Sequence, residues 1–153
     1  MFEVKGNLWT LPADVICITT NGFVKKNGDA VMGRGCALEA VEKFPMIQKQ
    51  LGHKITTYGN HVHHLISSPS CDLLSFPVKH NWFDKADLDL IEQSCQEIVT
   101  WVYDQWDMTH SGKQPIRFIA IPRPGCGNGQ LEWKDVKPIC EEYLDDRFGI
   151  VTF

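Results

Sequence analysis

The sequence lacks the features that would assign it to a membrane, to a secretory route or to nucleic-acid binding by bulk charge. No stretch approaches the roughly 20 consecutive apolar residues that span a bilayer. The first residues carry no basic segment followed by an apolar one, so we expect no signal peptide. Positive charge is in deficit, with 15 basic against 19 acidic residues. Because backbone amides can supply local positive potential, a small pocket for an anion remains compatible with this charge.

Cysteine pairs with metal-site or redox spacing are also absent. The six cysteines are scattered and form no C-x-x-C motif, so we expect buried, reduced thiols in a cytoplasmic protein. His61, His63 and His64 lie near Cys71 in the sequence. Alternation along a strand would place His64 on the face opposite the other two, which is a poor geometry for one ion. We therefore expect no metal site and no cofactor.

The size and composition are those of one globular domain. The chain has 153 residues, of which 43% are hydrophobic and 22% are charged. These values exclude intrinsic disorder and fibrous repeats, and the length is close to the ~150 residues typical of a domain. We therefore predict a single domain over residues 1–153 and expect it to be monomeric.

Apolar β-branched runs alternate with helical patterns along the chain. The strongest strand signal covers residues 15–20 and ends at the turn dipeptide Asn21-Gly22. Further strands are predicted at residues 2–4, 61–66, 72–76 (closed by Pro77), 117–121 and 150–152. Helices are predicted at residues 36–43, 85–106 and 133–143, the second from apolar residues at three- and four-residue steps. This alternation predicts an α/β sandwich with a mostly parallel sheet.

Two glycine-rich segments stand between predicted strands and predicted helices. The first glycine loop is GDAVMGRGCA at residues 28–37, and the second glycine loop is PRPGCGNG at residues 122–129. Glycine allows close approach of the backbone to a ligand, and a helix N-terminus offers free amides to an anion. Neither loop matches a dinucleotide fingerprint or a P-loop. Together, at the carboxyl ends of parallel strands, they predict a site that closes on a nucleotide diphosphate.

These loops belong to an ordered set of motifs that covers nearly the whole chain. The set comprises GNL at 6–8, ADVICITTNG at 13–22, VMGRGCA at 31–37, FP at 44–45, FPVK at 76–79 and IPRPGCGNGQLEW at 121–133. In this order it resembles the macro domain family, an ADP-ribose-binding module. The pattern is most similar to the branch of the DNA thymidine-ADP-ribose antitoxins and the small glutamate-ADP-ribose hydrolases, whose bacterial and phage relatives are often labelled ADP-ribose-1''-phosphatases.

The resemblance implies a fold and a ligand. The fold would be a three-layer α/β/α sandwich with a mixed, mostly parallel central sheet. The partner would be ADP-ribose or an ADP-ribosylated substrate, with nucleic acid entering only as a modified substrate.

The resemblance also implies where the ligand would lie. Asn7 and Leu8 would approach the adenine, where many relatives carry Asp in place of Asn7, while Asn21 would hold the distal ribose. The main-chain amides of the glycine loops would wrap the diphosphate and this ribose, through Val31, Met32, Gly33, Arg34, Gly35, Cys36, Gly125, Cys126, Gly127, Asn128 and Gly129. Thr20 and Pro122 are further predicted ligand-binding residues. Phe153 is favoured as a C-terminal core residue over an adenine contact.

Lys79 is the candidate for chemistry, with Asn21 beside it. It lies just past a predicted strand, where a partly desolvated amine loses its proton more readily and can attack a sugar carbon. The resemblance adds that the antitoxin-type relatives use this lysine. The glutamate-ADP-ribose hydrolases pair it with an acid in the second glycine loop, where Gly129 stands here, so the antitoxin-like arrangement fits better. Cys126 lacks the downstream arginine of a cysteine phosphatase loop.

Three functions follow from these residues. The first is an ADP-ribosyl hydrolase that cleaves a bond at C1'' of the distal ribose with Lys79. The second is an ADP-ribose-1''-phosphate phosphatase in which Asn21 and the loops hold a water molecule. The third is a non-catalytic reader of ADP-ribose, which would keep the loops but would not need Lys79.

Overall fold

A six-stranded sheet forms the centre of the computed structural model, which describes residues 1–109 and 115–153. Its strands are β1 (Phe2–Lys5), β2 (Val15–Asn21), β3 (His64–Ser67), β4 (Asp72–Lys79), β5 (Ile119–Pro122) and β6 (Phe148–Thr152). The helices of the described residues are α1 (Gly35–Lys43), α2 (Ile47–Tyr58), α3 (Leu88–Thr109) and α4 (Trp133–Tyr143). None of these helices is long and apolar enough to cross a membrane.

The strand order is β1-β6-β5-β2-β4-β3, and every neighbouring pair is parallel except β3 with β4. Parallel pairing needs crossover connections, which the helices supply. Helices α3 and α4 cover one face of the sheet, where Phe76 and Phe148 are buried against Ile91 and Cys140. Helices α1 and α2 cover the other face. The predicted three-layer sandwich with a mixed, mostly parallel sheet is therefore confirmed.

Strand β4 is longer than the sequence predicts, because Pro77 does not end it. Thr20 of β2 pairs with Pro77, whereas the next residue, Asn21, pairs with Lys79. The register shifts at this point, so an irregularity in the ladder accommodates a residue that has no N–H to donate. The carbonyl of Pro77 accepts a 2.7 Å hydrogen bond from the buried Ser94 hydroxyl. The extension makes Lys79 the last residue of β4 rather than a residue beyond it.

Two strands start later than predicted, because side chains accept the backbone N–H groups that would otherwise bond to a neighbouring strand. The strand predicted from residue 61 begins at His64, since the N–H of Val62 donates to Glu97 and that of His63 donates to Ser75 Oγ. Likewise, the carboxylate of Asp14 accepts the N–H groups of residues 117 and 118, so β5 begins at Ile119.

Helix α2 is absent from the sequence prediction although it carries an apolar stripe. Ile47 and Leu51 are buried, and Ile55 packs against the same core. Gly52 in the middle of the helix weakens the helical signal. The fold requires this glycine, because a Cβ at residue 52 would lie 1.9 Å from the carbonyl oxygen of Gly28. The backbone of helix α2 thus packs directly against the backbone of the first glycine loop at Gly28.

We predict that Gly52→Ala destabilises the protein by about 1–3 kcal/mol, the range for overpacking. The better helix propensity of alanine, about 1 kcal/mol, does not offset a clash with backbone atoms that belong to a neighbouring loop. Urea unfolding followed by circular dichroism measures the change. The matched control is Gly127→Ala, where a Cβ meets nothing within 4 Å and the stability stays within about 0.5 kcal/mol of the parent. Equal stability of the two variants would contradict the proposed packing.

Candidate functional site

A cleft of about 310 Å³ opens at the carboxyl ends of the central parallel strands. This is the edge of an open α/β sheet at which ligands generally bind. The cleft is lined by Leu8, Thr19, Thr20, Asn21, Val31, Met32, Gly33, Arg34, Gly35, Cys36, Ala37, Glu39, Val78, Lys79, Trp82, Pro122, Arg123, Gly125, Cys126, Gly127, Asn128, Gly129, Val151 and Phe153. Every predicted site residue except Asn7 is in this set, and the individual roles assigned to them remain predictions.

The side chain of Asn21 holds the first glycine loop over the end of the sheet. Its Nδ2 donates to the carbonyl of Val31 at 2.9 Å, and its Oδ1 accepts from the N–H of Phe23 at 2.9 Å. The N–H of Ala30 donates to the carbonyl of Gln48 at the start of α2. Asn21 therefore has a positioning role in the loop whatever else it contacts.

Helix α1 begins inside the cleft with unsatisfied amides. No side chain caps its N-terminus and its first turn holds no acidic residue. Within the described chain, the N–H groups of Gly33, Arg34 and Gly35 donate to no protein acceptor. Such a helix N-terminus has the potential and the geometry to bind an anion.

The two glycine loops approach each other at Gly35. This residue has φ +59°, and a Cβ on it would lie 3.2 Å from Asn128 Nδ2 of the second glycine loop. Both the left-handed backbone and the close neighbour favour glycine at this position. The loops therefore form two opposed walls of one cleft, as the sequence predicts.

Two glycines of the second loop are required by close packing, and a third has open space around it. Gly125 has φ +72°, and a Cβ there would lie 2.9 Å from Ala86 Cβ. A Cβ on Gly129 would lie 2.5 Å from the carbonyl oxygen of Gly125. Gly127, by contrast, has open space around it. The first two fix the turn, while Gly127 lets its backbone face a ligand.

The amides of the second loop are separate from the N-terminus of helix α4. Helix α4 begins at Trp133, beyond the loop, and neither Trp133 nor the preceding Glu132 lines the cleft. Instead, in the part of the chain that the structure describes, the N–H groups of Gly127, Asn128 and Gly129 donate to no protein acceptor. The second loop thus offers its own amides to the cleft.

Lys79 and Asn21 lie side by side at the ends of neighbouring strands. They are register partners of the β2–β4 pair. The Lys79 side chain is half-buried, and its Nζ donates to the carbonyl of Trp82 at 3.3 Å. The Lys79 carbonyl accepts a 3.0 Å hydrogen bond from Asn60 Nδ2. The strand end is therefore held on its outer side, while the amine remains at the wall of the cleft.

The opposite end of the cleft is apolar. Leu8 and Val151 are buried in its wall, and Phe153 is 79% exposed, so the prediction of Phe153 as a core residue is wrong. Asn7 does not line the cleft, and its Oδ1 accepts the N–H of Trp9 at 2.8 Å.

Two thiols face the cleft, one from each loop. Burial raises the pKa of the Cys36 thiol, and the hydrogen bond with Thr19 Oγ1 at 3.4 Å opposes this only in part. Burial also raises the pKa of the Cys126 thiol, against the opposing charge of Arg123. A raised pKa leaves little thiolate at neutral pH, and the thiolate is the nucleophilic form.

We predict that iodoacetamide modifies Cys36 and Cys126 more slowly at pH 7 than a fully exposed thiol, with rates that rise as pH increases toward their raised pKa values. Peptide mass spectrometry over time measures each site. An exposed cysteine introduced on α2 by Thr57→Cys provides the control in the same molecule. Faster modification of Cys126 than of this control would indicate an activated nucleophile.

The histidines near β3 have separate partners. His61 Nδ1 lies 2.8 Å from Glu97, and His64 Nε2 lies 3.0 Å from Asp72. Burial lowers the pKa of His63, whose Nε2 lies 2.9 Å from the Gly59 carbonyl oxygen. Among the described residues, no group of three His, Cys, Asp or Glu side chains is arranged to hold a metal ion.

Sequence reasoning missed Arg123 and Trp82 as lining residues. Arg123 lies over the Trp133 ring, with 5.1 Å from its Cζ to the ring centroid, and donates to Glu3 Oε1 at 3.2 Å. Glu3 also accepts from Trp133 Nε1 at 2.8 Å and from Lys137 Nζ at 3.0 Å, and the Lys137 bond is the main cause of its lowered pKa. This Glu3 cluster ties β1 to the second loop. No pattern in the sequence links residues 3 and 123.

Solved structures identify the fold. The macrodomain of Mycobacterium tuberculosis DarG superimposes with a TM-score of 0.76 at 19% identity, covering 98% of this chain and 95% of that one. The macrodomain of Thermus aquaticus DarG gives 0.75 at 24% identity and covers 100% and 97%. The chain therefore has the macrodomain fold. Thermosipho africanus DarTG in complex with ADP-ribose also matches, with a TM-score of 0.76 at 21% identity over 95% of this chain and 39% of that one.

Curated proteins with related sequences carry names that concern DNA. A DNA ADP-ribosyl glycohydrolase of Thermus aquaticus is 27% identical over 158 aligned residues, 96% of this chain. A fusion protein of Thermosipho africanus, named DNA ADP-ribosyl transferase-DNA ADP-ribosyl glycohydrolase, is 32% identical over 46% of the chain. The chain spans 38% of the first relative and 16% of the second. No protein-family model matches the sequence.

Proposed function

We propose that this macrodomain binds ADP-ribose and hydrolyses the bond between C1'' of its distal ribose and a nucleobase of DNA. The observation that carries the proposal is the placement of Lys79 beside Asn21 at the wall of a cleft whose other walls are two amide-presenting loops. The name of the Thermus aquaticus relative supports DNA as the source of the leaving group.

The two glycine loops would hold the diphosphate. Free amides of Gly33–Gly35 face it from one side, and those of Gly127–Gly129 face it from the other. Backbone N–H groups that point at an anion attract it over a short range, so the protein as a whole does not need a positive charge. Diphosphate binding is therefore compatible with a net charge of −4. The apolar end formed by Leu8, Val151 and Phe153 provides a surface for the adenine ring.

Hydrolysis would take place at Lys79. The Lys79 amine attacks C1'' as the bond from C1'' to the base breaks, and the base takes up a proton. Water then displaces the amine from C1'', which restores the free lysine and leaves a hydroxyl on the sugar. Asn21 holds the first loop next to this lysine through its hydrogen bonds to Val31 and Phe23. A glycine at residue 129, where a second acid would be needed for the glutamate-type reaction, favours this arrangement.

We predict that Gly127→Glu abolishes ADP-ribose binding without unfolding the protein. The space at residue 127 is open, so the side chain meets no core atom, but it occupies the place of the diphosphate and repels it. Isothermal titration calorimetry measures the affinity, and circular dichroism checks the fold. Thr57→Glu on the exposed surface of α2 adds the same charge elsewhere and retains binding. A folded Gly127→Glu protein with parental affinity would show that the second loop does not hold phosphate.

We predict that Lys79→Ala lowers kcat by roughly 10²- to 10⁴-fold and changes the affinity for ADP-ribose by less than about five-fold. The amine acts mainly in the transition state, whereas the loops hold the ground state. Lys79→Arg fails as well, because a guanidinium stays charged and cannot act as an amine nucleophile. The control is Lys85→Ala, an exposed lysine of the neighbouring loop that does not line the cleft.

The substrate panel separates the alternative functions. Each protein is incubated with ADP-ribosylated thymidine DNA, glutamate-linked ADP-ribosyl protein and ADP-ribose-1''-phosphate, and release is followed by chromatography. Parental release by Lys79→Ala on every substrate would contradict the lysine mechanism. Phosphate release alone would identify a phosphatase, and binding without any release would identify a reader.

A further inference from the structure

A cluster of aromatic rings lies beside Lys79, and the proposed function gives these rings no role. Trp82 is 50% exposed and Phe83 is 63% exposed, and their rings meet edge to face with centroids 5.4 Å apart. Phe83 in turn meets Phe23 at 6.5 Å. We call Phe23, Trp82 and Phe83 the aromatic platform. Large exposed rings grouped in this way mark an interaction surface.

The platform is continuous with the catalytic end of the cleft. Trp82 lines the cleft, and its carbonyl accepts the Lys79 amine at 3.3 Å. The N–H of Phe23 donates to Asn21 Oδ1 at 2.9 Å. A group attached to C1'' at Lys79 would therefore lie next to these rings.

The loop that carries Trp82 and Phe83 is held in place at several points. Asn81 Nδ2 donates to Asp84 at 3.0 Å, and His80 lies 2.7 Å from Asp87. The N–H of Ala86 donates to Gly129 of the second glycine loop. The rings are thus presented by an ordered segment, which lowers the entropic cost of binding a partner.

We infer that the aromatic platform stacks on bases of single-stranded DNA next to the modified nucleotide, and so sets the preference for a nucleic-acid substrate. This inference rests on the proposed function. Aromatic faces stack on every base, whereas in a duplex the base faces are covered. Lys25 and Lys26 are exposed on the same connection as Phe23, where they can meet backbone phosphates. A peptide offers a planar stacking partner only at aromatic or arginine side chains, whereas single-stranded DNA offers one at every nucleotide.

The test compares DNA turnover with ADP-ribose affinity in platform variants. Phe83→Ala is the main variant, because Phe83 does not line the cleft. We expect its kcat/KM on an ADP-ribosylated single-stranded oligonucleotide to fall roughly ten-fold, mainly through KM, in line with the loss of one stacked base. Its affinity for ADP-ribose stays within about two-fold of the parent, as befits a contact outside the cleft. Phe83→Tyr, which keeps the ring, restores turnover.

Tyr103→Ala is the matched control. Tyr103 is 65% exposed on α3, fifteen residues after the start of the helix beside the cleft, or about 22 Å along its axis. This variant is expected to process the oligonucleotide like the parent. An equal loss in Tyr103→Ala would overturn the inference.

Other outcomes are equally decisive. If Phe83→Ala and Trp82→Ala both process the oligonucleotide at the parental rate, the inference is wrong. It is also wrong if the protein releases ADP-ribose faster from a glutamate-linked peptide and that release depends on Phe83 to the same extent. If the parent binds ADP-ribose but releases it from no substrate, the proposed hydrolase function fails. The aromatic platform is then tested by the binding of an unmodified fluorescent single-stranded oligonucleotide. The inference holds only if Phe83→Ala binds this oligonucleotide more weakly than the parent and Phe83→Tyr do.

Discussion

The two hydrogen bonds of the Asn21 side chain are the constraint on which the rest of the site depends. One holds the carbonyl of Val31 and the other holds the N–H of Phe23. They connect the end of a central strand to both sides of the loop that crosses it. Because Asn21 is also the register partner of Lys79, the position of the loop and the position of the amine are set by the same residue. The site is in this sense an extension of the sheet rather than a set of independent loops.

Parallel strand geometry explains why so much of the site could be predicted from the sequence. When neighbouring strands are parallel, the segments that follow them emerge at one edge. Val15–Asn21 and Ile119–Pro122 carry strong strand signals, and the glycine-rich segments after them are conspicuous. Their meeting in one cleft follows from the topology. Every predicted site residue except Asn7 lines that cleft.

The parts that could not be predicted depend on contacts between residues distant in the chain. Helix α2 is weakened locally by Gly52, which is fixed by its contact with Gly28. Strand β4 passes through Pro77 because an irregularity in the ladder and the Ser94 hydroxyl accommodate it. Trp82 lies in a connection without periodicity, and its place at the cleft follows from hydrogen bonds of that loop to β4 and to the second glycine loop. None of these contacts can be predicted from the pattern of residues that are adjacent in the sequence.

The Glu3 cluster gives the second glycine loop a dependence on ionic strength that is separate from the charge of any ligand. One carboxylate on an edge strand accepts hydrogen bonds from Arg123, Trp133 and Lys137 at the surface. Salt weakens exposed ion pairs of this kind, and edge strands open locally at a lower free energy than central ones. Each opening of β1 releases Arg123 from its acceptor. We therefore expect the order of a ligand-facing loop to be linked to the fraying of the strand at the edge of the sheet.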